Sequence, residues 1–239
     1  MNNSKRINIS AENTLSKKSF KEKFFDQKYV ILSFFVPFLI MGISFAVFEV
    51  YPFGDKQILV TDFWQQYYPF FCDFQSKLQE GSSMLWSWAT GLGTNYIALI
   101  AYYLASPLNL LLFFVPAEIL REALTVSLMI KIGCAGMFMS MFLRYVFKRN
   151  NFSIVFFSML FALCAFTMGY YWNIIWFDAF ALLPLVVLGA YKLLVDGKYK
   201  TYVVALALTM ITNYYIGFFI CIFTVIVFIA IMVISKPGW

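Results

Sequence analysis

Asp62 opens the stretch Thr61-Asp-Phe-Trp-Gln-Gln-Tyr-Tyr-Pro-Phe-Phe71, a few residues beyond the first long apolar run of the chain. Read as helix, this stretch puts Asp62, Gln66, Pro69 and Asp73 on one side and Phe63, Tyr67, Phe70, Phe74 and Leu78 on another. The pattern predicts a helix lying flat at a lipid–water boundary, apolar side down, with carboxylates and amides facing water. A carboxylate held there can accept a proton from, or orient, the hydroxyl of a substrate anchored in lipid. The same residue also reads as a cap, because Asp62 with Gln65 three positions on fits a capping box. Spacing alone leaves both readings open.

Other residues could share the chemistry. Asp73, three turns on, is a second acid or part of a solvated side with Lys77 and Glu80. Asp178, in Trp172-Asn-Ile-Ile-Trp-Phe-Asp178, sits close to hydrocarbon, where an acid is costly unless paired, hydrated or useful; it also suits the start of a helix. Lys131 is the one charge well inside an apolar run. A buried cation needs an anion, and a lipid phosphate is a candidate; snorkelling to the headgroups is the alternative. The run Ser87-Trp-Ala-Thr-Gly-Leu-Gly-Thr-Asn95 offers Gly91, Gly93 and Asn95 to a phosphate or sugar, or forms a plain turn. It has neither the lysine of a P-loop nor the strand-to-helix setting of a dinucleotide site.

The elements that position these residues follow from composition. Of 239 residues, 62% are hydrophobic and 13% charged, far from the balance of soluble domains and diagnostic of an integral membrane protein. The net charge of +6 is no sign of nucleic acid, because the basic residues sort by membrane side and form no interleaved patch. His is absent, which removes the commonest metal ligand and general base. The four cysteines form no CxxC pair, and Cys72 alone is expected to meet water.

Residues 1–28 form a polar, basic tail, and 29–48 is long enough to span. Further spans are expected at 124–147, 152–171, 176–195 and 216–234. The positive-inside rule arbitrates between 97–115, which is interrupted by Ser106-Pro107, and the short 201–212. If 201–212 crosses and 97–115 does not, Arg144, Lys148, Arg149, Lys192, Lys198, Lys200 and Lys236 all fall on the cytoplasmic side. The region from Glu49 to Glu122, with seven acidic and three basic residues, then lies outside. The expectation is an all-α polytopic transmembrane helical bundle of about six spans, both ends cytoplasmic, in a cell membrane. Its large first external loop, 49–123, carries the amphipathic helix and a re-entrant segment broken at Pro107. The remaining spans fill 124–234, and 235–239 is a cytoplasmic end.

The order and spacing of several landmarks resemble the YfhO family of bacterial membrane proteins over roughly residues 45–225. These are Asp62 with Gln66-Tyr67 and Pro69-Phe70, Trp86-Ser-Trp88, Gly91-Leu-Gly93, Asn95, Tyr102-Tyr103, Ser106-Pro-Leu-Asn109, Trp176-Phe-Asp178, Leu183-Pro184 and Asn213-Tyr-Tyr-Ile-Gly217. The family looks like a branch of the GT-C membrane glycosyltransferases. The resemblance therefore implies transfer of a sugar from a polyprenyl-phosphate donor to a cell-wall polymer such as lipoteichoic acid, on the outer face, among membrane lipids. It implies Asp62 as the catalytic acidic residue, with Asp73 or Asp178 assisting. Gln65, Gln66, Tyr67, Lys131, Gly91, Gly93 and Asn95 would contact substrate. It implies no cofactor and leaves a metal requirement open. Family members are longer, so the chain is expected to be an amino-terminal portion. A transporter or lipid flippase, or a non-catalytic assembly partner, is the alternative.

Overall fold

Inside lipid an apolar run can satisfy its own N–H and C=O groups only as helix, and the chain obeys this throughout. The computed structural model describes residues 20–235. The basic tail up to residue 19 and the end at 236–239, Lys236 included, lie outside the described residues. Helix α1, Phe20–Val47, starts well before the expected span and passes through Pro37. A single π-helical turn, Phe63–Tyr67, leads into α2, Tyr68–Glu80. Strands β1 (Trp86–Ser87) and β2 (Thr94–Asn95) form a small antiparallel hairpin in the register Trp86↔Asn95 and Ser87↔Thr94. Helix α3, Tyr96–Leu99, then runs through a second π turn, Ile100–Leu104, to a 3-10 helix at Pro107–Phe114.

The long helices follow. They are α4 (Leu120–Phe147), α5 (Phe152–Ala162), α6 (Ala165–Tyr170) and α7 (Phe177–Asp196), then α8 (Lys200–Thr212) and α9 (Tyr214–Ser235). The span expected at 152–171 is thus broken in two at Leu163-Cys164, where the Thr167 hydroxyl donates to the Ala162 carbonyl across the break at 2.8 Å. Among the described residues, five helical segments are long and apolar enough to cross a membrane. The segment 96–114 would be a sixth only as a broken one, because its halves are bent by 105°. Helix α8, at 13 residues, is about 20 Å long at 1.5 Å per residue, shorter than a bilayer core of about 30 Å.

The direction of each helix can be read from its contacts. Tyr202 of α8 packs on Phe228 of α9 with ring centroids 5.5 Å apart, and Met210 meets Cys221 at 3.8 Å, so the chain reverses at Asn213. A Cβ on Gly189 of α7 would collide with the backbone of Tyr202, and one on Gly136 of α4 with the Ser33 carbonyl of α1. Small residues let these backbones touch, as membrane helix pairs commonly do. The charge sorting expected from sequence has a structural counterpart. Arg144 donates to Gln27 at 3.0 Å, the Tyr145 hydroxyl to Asp196, and Lys148 and Lys192 both sit on the Tyr145 ring. Cations from α4 and α7, with the start of α8 nearby, therefore gather at one end of the bundle. The 48–119 region caps the other.

Candidate functional site

Asp62 does stand at the N-cap position, but its side chain makes no capping hydrogen bond. The reason is local. The N–H groups that a cap would serve, those of Trp64 and Gln65, already donate to the Thr61 carbonyl at 3.2 and 3.3 Å. Thr61 reaches this position with φ of 47°, a left-handed conformation that is strained for a β-branched residue. The capping-box reading is therefore corrected: Gln65 is exposed and Asp62 is exposed.

The π turn also corrects the expected faces. It adds a residue to one turn, which rotates everything after it. Phe63, Tyr67, Phe71, Phe74 and Gln75 are the buried set, in place of a stripe through Phe70 and Leu78. This apolar side packs into the protein's own core with Leu99, Leu104 and Leu124, so α2 rests on the bundle end. Gln66 donates to the Tyr103 hydroxyl at 2.9 Å, which ties the turn to the broken segment. Burial first, and then the nearby Asp62 carboxylate, raise the Tyr67 phenol above its ordinary value and keep it protonated. Asp62 is thus an exposed carboxylate beside Tyr67, Tyr103 and Gln66. From Tyr67 an aromatic wall continues through Tyr103, Tyr102 and Tyr215 to Trp176, with centroid separations of 5.6, 4.5, 6.2 and 6.3 Å.

The broken segment is held by amide side chains that the sequence reading left unexplained. A bend of this kind strips carbonyls of their helical partners, and such groups need replacements away from water. Asn109 donates to the Leu104 carbonyl at 2.9 Å, and Gln75 to those of Leu112 and Val115 at 3.2 and 2.8 Å. Asn213 donates to the Tyr102 carbonyl at 3.2 Å while its own oxygen caps α9 through the Ile216 N–H. For Asn109 and Asn213 the signal was present, since each is an amide embedded in an apolar run; Gln75, in Asp73-Phe-Gln-Ser-Lys77, carried none.

Lys131 and Asp178 meet. The ammonium lies 2.7 Å from Asp178 Oδ2, with side-chain exposures of 2% and 10%, and donates to the Ile174 carbonyl at 3.1 Å. Ser106, at the bend, donates to Asp178 Oδ1 at 2.7 Å. Lys131 is too deeply buried to snorkel, and the anion it meets is a protein carboxylate, where a lipid phosphate was one of two candidates. A cavity of about 150 Å³ adjoins the pair, lined in part by Pro107, Cys134, Phe138 and Leu208. It is smaller than the roughly 300 Å³ of small-molecule sites. The pairing was countable: Lys131 is sixteen residues from the Phe147 end of α4 and Asp178 eighteen from the Asp196 end of α7. At about 1.5 Å per residue both stand about 25 Å above the basic end.

Asp73 does not share a face with Asp62. It is half-buried and accepts from the Ser87 hydroxyl at 2.7 Å, tying α2 to the hairpin. Asn95 Oδ1 caps α3, accepting from Ile97 N and Ala98 N at 3.1 and 3.4 Å. Gly91 and Gly93 turn the hairpin tip with φ of 59° and 104°. These residues are brought near α2, while Lys131 and Asp178 lie on the other side of the bend.

The family model described as Bacterial membrane protein YfhO matches residues 33–238. The chain belongs to the YfhO family. It is a multi-pass membrane protein, as its helices and this membership agree. No curated protein and no solved structure matches it. Several of the landmarks that carried the resemblance to YfhO proteins converge in space. Gln66, Tyr102-Tyr103, Ser106-Pro107, Asn109, Asp178 and Asn213 all hold or touch the bend between α3 and the 3-10 helix.

Proposed function

We propose that this YfhO-family chain serves a membrane glycosyltransferase that moves a sugar from a polyprenyl-phosphate donor to a cell-wall polymer such as lipoteichoic acid. The observation that carries the reading is Asp62: a carboxylate at the end of the bundle away from the cations, exposed, without a cap bond, and next to protonated Tyr67. It would accept or orient the proton of the acceptor hydroxyl as the glycosidic bond forms. Gln66 and the phenols beside it would hold the sugar, and the aromatic wall would stack on its apolar face. Gln65 and Gly91, on the same end, remain open to the polymer, while Gly93 is packed beneath Trp86 and Trp88. The leaving phosphate is already stable, so electrostatic holding counts for more than acid catalysis.

The test is Asp62→Asn and Asp62→Ser in the protein at its native locus, with sugar on the wall polymer and membrane abundance measured together. A general base contributes about 10²- to 10⁴-fold in rate, so both variants should lose polymer glycosylation at normal abundance. Near-normal glycosylation in the Asn variant would end the assignment and favour an assembly partner. Transport or lipid flipping is the second reading, favoured by a buried ion pair beside a broken helix. It requires Lys131→Met to abolish activity and Asp62→Asn to spare it.

A further inference from the structure

The basic end of the bundle contains a groove of about 500 Å³ between α1, α4, α7 and α8. Its rim carries Arg144, Lys148 and Lys192, and its floor is apolar, with Val30, Leu185 and Leu188. The cations converge. The Lys148 and Lys192 ammonium groups stand 4.2 and 4.5 Å from the centroid of one ring, that of Tyr145, which leaves them at most about 9 Å apart. The ring face offsets part of their repulsion. Asp196 stands at this end as well and takes the Tyr145 hydroxyl.

We propose that this groove binds one anionic phospholipid, its phosphate between Lys148, Lys192 and Arg144 and the start of its acyl chain on Val30, Leu185 and Leu188. A phosphodiester supplies two charged oxygens to Lys148 and Lys192, which otherwise repel one another across the Tyr145 ring, and ammonium groups bond such oxygens strongly. The apolar floor selects a phosphate that carries a tail over free phosphate. Arg149, by contrast, faces a different groove with Phe147 and Phe157, so charge at this end can be changed without touching the site. The proposal is independent of glycosyl transfer.

The experiment uses the full chain in nanodiscs of phosphatidylcholine doped with phosphatidylglycerol, with retained lipid counted by native mass spectrometry. Lys148→Gln with Lys192→Gln should lower phosphatidylglycerol retention tenfold or more. Arg149→Gln with Lys198→Gln, an equal charge change at the same end on residues that do not line the groove, should leave it near the parent value. Lys148→Arg with Lys192→Arg should retain the lipid, which separates lost binding from lost folding. Excess inorganic phosphate should not compete. Equal loss in the two Gln pairs, no loss in the groove pair, loss in the Arg pair, or displacement by inorganic phosphate would each overturn the proposal.

Discussion

Removing one partner of the Lys131–Asp178 pair should unfold the centre of the bundle far more readily than removing both. The pair is 2.7 Å long and almost wholly buried. At an effective dielectric near 20, its attraction is about 6 kcal/mol before desolvation. Desolvation offsets most of this, so the pair's net contribution is small, yet a lone survivor is left charged in a low-dielectric interior. Lys131→Met leaves Asp178 with the Ser106 hydroxyl alone; Asp178→Asn leaves the ammonium with the Ile174 carbonyl. Each should cost about 3–5 kcal/mol, while the double variant, neutral and close in shape, should cost less than either. The coupling in a double-mutant cycle should reach about 3 kcal/mol, roughly two orders of magnitude in the unfolding equilibrium. The assay is reversible unfolding in mixed micelles as denaturing detergent is titrated in, followed by tryptophan fluorescence. Single effects that add to within about 0.5 kcal/mol would refute the reasoning. So would Lys131→Met lowering affinity for a polyprenyl-phosphate donor while stability is unchanged, since the anion would then be the lipid.

Three further outcomes are expected. Cys72 should label with a membrane-impermeant maleimide in intact cells, and a cysteine introduced by Asn150→Cys should not; labelling of the latter would reverse the sidedness. Burial raises the Cys72 thiol above its ordinary value and the Tyr68 hydroxyl partly lowers it again, so less thiolate exists at neutral pH. Its labelling rate should keep climbing past the usual thiol range, and Tyr68→Phe should slow it at a fixed pH. Gly93→Ala puts a methyl 2.8 Å from both Trp86 and Trp88 at a φ of 104°, and should open the hairpin to protease at Leu92 while leaving the bundle's melting temperature in place.

The order of the long apolar helices was legible because a single apolar run in lipid can satisfy its own backbone only as helix, and 97–115 was readable as broken because Pro107 cannot continue one; the break at Leu163-Cys164 was not read. Charge sorting pointed correctly to Arg144, Lys148 and Lys192 at a common end, since short loops rich in cations stay on one side. The site was less legible. A helical wheel assumes 3.6 residues per turn throughout, and the π turn at Phe63–Tyr67 breaks that assumption where Asp62 and Asp73 were to be aligned. The capping box failed for a similar reason, because Thr61 took a left-handed conformation that hydrogen-bonds the N–H groups first.

What the sequence by itself determined is the set of local, periodic and compositional facts: membrane residence, the helical runs, the break at Ser106-Pro107, the basic end and an acid at Asp62 beyond the first span. What only the tertiary structure decided is which polar groups answer one another across the bundle. Lys131 meets Asp178, Asn213 the Tyr102 carbonyl, Gln75 the Leu112 carbonyl and Gln66 the Tyr103 hydroxyl. Each pair joins residues 37 or more positions apart. Helix periodicity fixes which way a side chain points around its own axis, but not which neighbour stands there. That is set by packing, and in a low-dielectric interior every unpaired charge or bare carbonyl must find its partner in the same packing arrangement.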